Sequence, residues 1–371
     1  MELRKLGRTG LDVSAIGLGT EHLSGQPRET VLSVIREAIG RGVNYFDLVF
    51  SFPEYLDNLC AAFRGYREQV LLTGHLGSTE RNGQYFKTRS LKTCERFFLD
   101  FLSRLGTDHV DVLFLHNFNS VKDYDKVMKA GGLIDLACRL RQEGQARCIG
   151  ISAHNTAVAT KAVDSGQIDV VMFPINLLGN AMPGRKELLN LCARQGVGLV
   201  AMKPFGGGKL LQVRGTFRVP KYQTGGESFK IKITSEITPA QCLSYTLAQV
   251  GVSTTVPGVK NMAELAAALH TLEATEAERD FSSLVASFGR YTEGDCVYCN
   301  HCLPCPAVID IGQINRLVDA AQWGISKELQ MAYNAVPMKA SACTECGACM
   351  ERCPFGVDGI AKMRQAVEWF E

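Results

Sequence analysis

Two dense runs of cysteine near the C-terminus hold the residues whose types and spacing indicate chemistry most clearly. Each run has four cysteines and closes on Cys-Pro; the first spans Cys296–Pro306 and the second spans Cys343–Pro354. Three thiolates separated by two residues can wrap one cubane metal cluster, and the fourth ligand must then come from elsewhere in the chain. The alternatives are a disulfide framework or paired zinc sites, but zinc usually takes two C-x2-C pairs set well apart. The spacing therefore favours iron–sulfur clusters.

The second run has the C-x2-C-x2-C-x3-C-P spacing of bacterial two-cluster ferredoxins, and the first is one residue tighter before its last cysteine. In those ferredoxins the last cysteine of each run ligates the cluster of the other run. This likeness implies two 4Fe–4S clusters. The expected ligands of the first cluster are Cys296, Cys299, Cys302 and Cys353. The expected ligands of the second cluster are Cys343, Cys346, Cys349 and Cys305.

Length and charge limit what surrounds these runs. With 371 residues the chain is too long for a ferredoxin alone. We expect a domain over residues 1–275, followed by a linker helix and an iron–sulfur domain over residues 276–371. The net charge of +2 indicates neither a nucleic-acid partner nor an anionic membrane, and no stretch approaches about 18 uninterrupted apolar residues. Fourteen cysteines, with no apolar signal core at the N-terminus, predict a reducing, cytoplasmic setting.

The chain before residue 275 alternates short apolar runs with amphipathic stretches. The apolar runs are Val13–Leu18, Val43–Phe46, Val70–Thr73, Val110–Leu115, Cys148–Ile151, Val170–Phe173, Gly198–Met202 and Thr254–Pro257. Most of the amphipathic stretches end at a glycine, which is typical of the left-handed cap of a helix. The pattern predicts an α/β fold, a (β/α)8 TIM barrel with a C-terminal α-helical ferredoxin-like iron–sulfur domain. A hairpin from Leu3–Leu6 to Leu11–Val13 is expected to close the bottom of this barrel.

Several of the strand ends resemble the aldo/keto reductase family. The matching segments are Phe46-Asp47, Asp111–His116, Ile149–Ser152, Lys203–Gly208 and Val256–Gly258. With the cysteine runs appended, the whole chain resembles a ferredoxin-type aldo/keto reductase. The resemblance implies a barrel whose mouth reduces a carbonyl group. In that family NADPH gives the hydride, a Tyr gives the proton, a Lys paired to an Asp lowers the Tyr pKa, and a His orients the carbonyl.

Two of these four catalytic positions are unchanged in the sequence, as Asp47 and His116. The tyrosine falls on Phe52, which has no proton to donate, and the lysine falls on His75. Tyr55, three residues after Phe52, is the candidate replacement for the phenol. His75 is a candidate acid because histidine titrates near neutral pH, although it lacks the permanent charge of lysine. The predicted catalytic residues are therefore Asp47, Tyr55, His75 and His116.

The NADP(H) site that the resemblance implies is only partly present. Met172 and Met202 stand where the family has a carboxamide-binding Gln and a stacking aromatic side chain. A triple glycine after the seventh strand could admit a pyrophosphate close to backbone amides, and a Lys-Asn pair after the eighth could hold a 2′-phosphate. A tight turn and a solvated helix start are the structural alternatives. The candidate cofactor contacts are Ser152, Asn176, Gly206, Gly207, Gly208, Lys260 and Asn261.

Histidines also gather after the predicted strands. His22, His75, His116 and His154 follow the first, third, fourth and fifth strands, and the carboxyl ends of barrel strands form the catalytic face. Such a set could transfer protons or orient a polar substrate, or it could bind a metal ion together with Asp47. Proton transfer and orientation are the preferred roles.

These observations give one leading hypothesis and two rivals. The leading hypothesis is an iron–sulfur oxidoreductase that acts on a small carbonyl or conjugated substrate, with two 4Fe–4S clusters exchanging electrons with an external ferredoxin or flavodoxin. The first rival is a catalytically diverged barrel that serves as an electron-transfer or redox-sensing partner protein. The second rival is a metal-dependent hydrolase or lyase whose clusters are structural.

Overall fold

The computed structural model of the chain forms two compact units. The described residues are 1–118, 120–180, 182–212, 215–219, 229–233, 236–286, 296, 302–322, 324–353 and 356–371. The first unit comprises Met1–Pro174, Val197–Pro204 and Ser253–Glu273. The second unit comprises Ile175–Gly196, Phe205–Val252 and Ala274–Glu371.

Eight of the strands form a closed parallel barrel. In chain order the strands are β1 Leu3–Lys5, β2 Asp12–Ser14, β3 Leu18–Gly19, β4 Tyr45–Asp47, β5 Leu71–Leu76, β6 Ser78–Arg81, β7 Gln84–Lys87, β8 Val110–Phe118, β9 Ala146–Ala153, β10 Val170–Pro174, β11 Gly198–Met202, β12 Gly215–Val219, β13 Phe229–Ile233 and β14 Val252–Val256. Eight of them join in the order β14-β11-β10-β9-β8-β5-β4-β3. Parallel bridges from Ile16 to Thr255 and from Gly19 to Gly258 close the ring. The predicted (β/α)8 barrel is therefore confirmed.

The hairpin of β1 and β2 lies against the buried core of the barrel, as expected. Its Leu6, Leu11 and Val13 belong to one buried cluster with inward side chains of the barrel strands. Those inward side chains include alternate residues, such as Val112 and Phe114, because successive side chains of a strand point to opposite faces. A Cβ atom added at Gly198 would lie 2.8 Å from Leu6 Cδ1, so the hairpin occupies the space that this glycine leaves.

The helices follow most of the predicted amphipathic stretches. In chain order they are α1 Arg28–Gly40, α2 Pro53–Phe63, α3 Leu91–Leu105, α4 Val121–Met128, α5 Leu133–Gln142, α6 Thr156–Asp164, α7 Arg185–Gln195, α8 Pro239–Ala248, α9 Met262–Leu269, α10 Glu276–Arg279, α11 Ser282–Ala286, α12 Ile311–Ala321, α13 Lys327–Asn334, α14 Ala348–Arg352 and α15 Gly359–Phe370. Gly106 and Gly196 end α3 and α7 in the left-handed conformation, which confirms the glycine signal. The helices α2, α4 and α9 and the β6–β7 hairpin are not among the elements predicted from the sequence.

The second unit has its own apolar core. Leu177, Leu178, Leu210, Tyr245 and Val285 are among its buried members, and Cys296 and Cys353 pack against it. The helices α12 and α15 pack on each other. The rings of Tyr333 and Phe370 stack with centroids 4.5 Å apart. Among the described residues, no helix combines the length and apolar composition needed to cross a membrane.

Candidate active site

Four side chains form one continuous hydrogen-bonded chain at the ends of neighbouring strands. Asp47 Oδ1 contacts His75 Nε2 at 2.8 Å, His75 Nδ1 contacts His116 Nδ1 at 3.0 Å, and His116 Nε2 contacts the Tyr85 hydroxyl at 2.7 Å. Thr73 donates to the same Asp47 oxygen at 2.7 Å. His75 is only 7% exposed, against 39% for Tyr85. We call these four residues the relay; it leads from a partly buried carboxylate to an accessible phenol.

One set of hydrogen positions satisfies all three contacts of the relay with neutral imidazoles. If His75 Nε2–H donates to the Asp47 carboxylate, His75 Nδ1 must accept from His116 Nδ1–H. His116 Nε2 then accepts from the Tyr85 O–H, because a neutral imidazole has one donor and one acceptor. The tautomer of each histidine therefore depends on its neighbour in the relay. When one proton passes along the relay, the donor and acceptor of every hydrogen bond exchange roles.

The surroundings keep His116 neutral. Burial lowers the pKa of His116 well below its ordinary value, and the nearby His75, Arg89 and Lys87 act in the same direction. Burial raises the pKa of the Tyr85 phenol, whereas the Asn117 side chain and the charge of Arg89 lower it. A neutral His116 has one nitrogen that donates and one that accepts, so it can pass a proton between His75 and Tyr85 without becoming charged.

Tyr85 is not among the residues predicted from the sequence, although an Asn-Gly pair nearby indicates its position. It lies in β7, which pairs with β6 in an antiparallel hairpin. Asn82 and Gly83 connect the two strands with φ of 54° and 76°. Asn-Gly between two short strands is a strong hairpin signal, and it could have placed this tyrosine above the third barrel strand.

Tyr55, the tyrosine predicted to donate the proton, is buried in the first part of α2. Its hydroxyl contacts the Thr20 hydroxyl, and burial raises the pKa of the phenol far above its ordinary value. Phe52, which the resemblance assigns to the tyrosine position, precedes α2 and packs against Phe50 with ring centroids 4.9 Å apart. His75, which the resemblance assigns to the lysine position, contacts Asp47 through its own ring.

The other two histidines of the predicted set lie at the same end of the barrel. His22 follows β3, and its ring fills the space beside Gly258, where a Cβ atom would collide with it. His154 follows β9 and has both ring nitrogens buried without a hydrogen-bond partner. Within the described residues, no three His, Cys, Asp or Glu side chains are close enough to hold a single metal ion.

The candidate cofactor contacts of the first unit lie at the ends of its strands. Ser152 is buried in β9 and is paired with Met172 in the sheet. Asn261 caps α9 by accepting from the backbone amide of Glu264, whose carboxylate accepts from the amide of Lys260. Lys260 and Asn261 are therefore at a helix N-terminus, where the helix dipole favours an anion.

The candidate cofactor contacts of the second unit, Asn176 and Gly206–Gly208, are parts of two turns. Asn176 Oδ1 accepts from the backbone amide of Gly179 at 3.0 Å, which caps a short turn. Gly206, Gly207 and Gly208 have φ of 59°, 72° and 81°, a conformation that side chains resist. A Cβ atom at Gly206 would also lie 2.7 Å from Leu178 Cδ1. The glycines are thus required by the turn itself.

Cysteines from both runs line one cavity in the second unit. The thiols around this cavity belong to Cys305, Cys343, Cys346 and Cys349. Apolar side chains, including Ile309 and Met363, complete the lining. The Cys343 sulfur also accepts from the backbone amide of Glu345 at 3.4 Å. Four thiols that surround a cavity rather than one point fit a cluster better than a single ion.

Three of the other four predicted ligands, Cys296, Cys302 and Cys353, are among the described residues. Cys296 and Cys353 pack on the same apolar core, and Asn315 Nδ2 donates to the Cys296 sulfur at 3.3 Å. Arg352 donates to the carbonyl oxygen of Cys302 at 3.0 Å, which ties the end of the second run to the first. Cys299 lies outside the described residues.

The profiles of two known protein families match successive parts of the chain. The profile of the aldo/keto reductase family matches residues 15–287, and that of the 4Fe-4S dicluster domain matches residues 294–357. The chain is 26% identical to L-galactose dehydrogenase of Arabidopsis thaliana, covering 71% of this chain and 86% of that protein. It is 25% identical to the uncharacterized oxidoreductase YqkF of Bacillus subtilis, covering 80% of this chain and 98% of that protein.

A solved structure shares the fold. The aldo-keto reductase AKR11C1 from Bacillus halodurans aligns with a TM-score of 0.62 and 23% identity, covering 79% of this chain and 100% of that one. The protein is therefore an oxidoreductase with an appended 4Fe–4S dicluster domain. Since the family profile spans most of its length, the chain belongs to the aldo/keto reductase family.

Proposed function

We propose that this oxidoreductase reduces a small carbonyl or conjugated substrate at the mouth of its barrel, with Tyr85 as the proton donor. The observation that carries the proposal is the relay, because it links an accessible phenol to a partly buried carboxylate through two imidazoles. It supplies the acid that Phe52 cannot supply, and the Asp47–His75 contact replaces the family's Asp–Lys pair.

The relay can deliver one proton and then return to rest. In its acid state the Asp47–His75 pair shares one extra proton, His75 Nδ1–H and His116 Nε2–H point toward the mouth, and Tyr85 O–H faces the substrate. When Tyr85 protonates the carbonyl oxygen, each member passes one proton outward, and Asp47 is left as a carboxylate. A carbonyl also needs two electrons and a second proton to become an alcohol. When bound, NADP(H) supplies hydride and 4Fe–4S clusters supply single electrons.

We further propose two 4Fe–4S clusters with ligands exchanged between the runs. The cavity shared by Cys305 with three cysteines of the second run supports one of them. The common core of Cys296 and Cys353 supports the other. An external ferredoxin or flavodoxin is the proposed electron carrier. A reducing cytoplasmic setting and the domain boundary near residue 275 remain predictions.

The experiment is an anaerobic assay of the cluster-loaded protein with reduced methyl viologen, and separately with NADPH. A panel of aldehydes, diketones and enones serves as the acceptors, and oxidation of the donor is followed by absorbance. We expect Tyr85→Phe to lower turnover by about 10²- to 10⁴-fold, the usual contribution of a general acid. Tyr66→Phe is the matched control, because Tyr66 lies outside the relay.

Two results would contradict the proposal. Equal turnover by Tyr85→Phe and Tyr66→Phe would remove Tyr85 from the chemistry. Failure of every acceptor with both donors, while the clusters still exchange electrons with the viologen, would favour the electron-transfer or redox-sensing alternative.

A further inference from the structure

Three buried polar atoms without partners lie at the ends of two adjacent barrel strands. They are Asn117 Oδ1 and the two ring nitrogens of His154. Phe118 pairs with Ala153 across β8 and β9, and the His154 amide donates to the Phe118 carbonyl at 3.0 Å, so Asn117 and His154 lie at adjoining strand ends. Buried polar groups are nearly always hydrogen-bonded, and exceptions call for an explanation such as a ligand.

These atoms lie beside the relay. The Asn117 side chain lowers the pKa of the Tyr85 phenol, and Lys87 donates to the backbone carbonyl oxygen of Asn117 at 2.9 Å. Asn117 has a φ of 53°, a strained conformation for a residue other than glycine. Such strain clusters at ligand-binding positions. A ligand held here would therefore reach Tyr85.

The surroundings of His154 are positively charged. Burial lowers the pKa of His154 to about 4, and the charges of Lys203 and Lys87 act in the same direction. Lys203 directly follows β11 and, like Asn117, has a positive φ, of 56°. Asp123 is paired with Lys87 and offsets part of the charge. A neutral imidazole beside a lysine can donate N–H to an anion that the lysine attracts.

We propose that His154 and Lys203 form an anion subsite that binds the carboxylate of a small oxo acid, the substrate of the relay. The carboxylate accepts from a His154 N–H, and the carbonyl oxygen accepts from Tyr85. This inference rests on the proposed function and names its substrate class.

The test is a comparison of acids with their neutral esters. Dissociation constants of pyruvate, acetoacetate and 2-oxoglutarate, and of their methyl esters, are measured by anaerobic calorimetry with the cluster-loaded full chain. We expect at least one acid to bind about tenfold or more tightly than its ester, since a charge-assisted hydrogen bond is worth that ratio. His154→Phe, His154→Gln and Lys203→Gln should each reduce the preference at least severalfold. Lys92→Gln, on the exposed face of α3, should not.

Three results would overturn the subsite, and one variant separates it from the proposed function. Equal binding of acid and ester, absence of binding by every acid, or a preference that survives all three subsite variants would overturn the subsite. Tyr85→Phe separates this inference from the proposed function, because it should abolish turnover and keep the acid preference. Retained turnover in Tyr85→Phe would refute the relay and leave the subsite to stand on the binding data.

Discussion

His75 Nδ1 and His116 Nδ1 lie 3.0 Å apart, so the two rings that the resemblance assigns to the lysine and the carbonyl-orienting histidine of the family are in contact. A lysine at residue 75 would carry a fixed charge and no acceptor. An imidazole instead has two nitrogens, one for Asp47 and one for His116. Under the proposed correspondence, residue 75 therefore carries a group that can conduct a proton in place of a static charge.

The first prediction concerns this conduction. In His75→Gln the amide can hydrogen-bond to Asp47, but it cannot exchange protons between its two ends. We expect kcat to fall by about 10²-fold or more, in the range of general acid–base catalysis, with little change in KM. Steady-state kinetics on any substrate turned over by the wild type measures this. His109→Gln is the control, since His109 pairs with Asp108 away from the relay. Unchanged kcat in His75→Gln would show that the relay carries no proton.

A second prediction concerns stability in acid. His154 is held neutral in the folded state, where its pKa is about 4, whereas the ordinary value is 6.5. The unfolded chain therefore binds more protons as the pH falls below about 6.5, and folding stability falls until the folded pKa is reached. His154→Gln should lose less stability than the wild type between pH 7 and pH 4.5. Anaerobic urea unfolding at both pH values measures this, and equal losses would contradict it.

The cluster ligands give a third prediction. Cys305→Ser and Cys296→Ser should each lose about half of the bound iron, because each thiol serves a different proposed cluster. Iron analysis and electron paramagnetic resonance of the reduced protein measure the loss. Cys242→Ser should keep all of the iron, since Cys242 is buried in the apolar core. If Cys305→Ser disturbs the same signal as Cys296→Ser, the exchange of ligands between runs is wrong.

The contact between Asn315 and the Cys296 sulfur supports a fourth prediction. An N–H donor to a ligand sulfur stabilises the more negative, reduced cluster. Asn315→Leu should therefore lower the reduction potential of one cluster by roughly 40 mV, the equivalent of one ordinary hydrogen bond of about 1 kcal/mol. A spectroscopic redox titration measures both clusters. Asn334→Leu, on an exposed residue, is the control, and an unshifted potential in Asn315→Leu would refute the role.

Two glycines of the barrel unit give a fifth prediction. A Cβ atom at Gly150 would collide with the Phe114 ring inside the barrel, whereas one at Gly40 in α1 meets nothing. Gly150→Ala should cost about 1–3 kcal/mol of unfolding free energy by overpacking. Gly40→Ala should be neutral or stabilising by up to about 1 kcal/mol. Urea unfolding of both variants measures the difference, and equal stabilities would show that Phe114 moves at no cost.

The sequence by itself predicted the barrel and the iron–sulfur domain, which are confirmed, and the replacement of two family residues by Phe52 and His75, which stays a prediction. Each of these is a local property. Apolar runs and terminal glycines set the strands and helices within a few residues, as Gly106 does for α3. The spacing of the cysteines sets which thiols can share a cluster. The identities of Phe52 and His75 follow from short segments around conspicuous strand ends.

Only the tertiary structure decided which side chains meet. Tyr85 is 38 residues from Asp47 in the chain and lies on a hairpin outside the barrel sheet, so no period or spacing links it to His116. The contact between His75 and His116 depends on the parallel register of β5 and β8, and a shift of one residue would turn one ring away. Tyr55 is nearer to Asp47 in sequence, yet α2 turns its hydroxyl toward Thr20. Local residue patterns fix elements, whereas a catalytic relay requires distant elements to bring their side chains to within hydrogen-bonding distance.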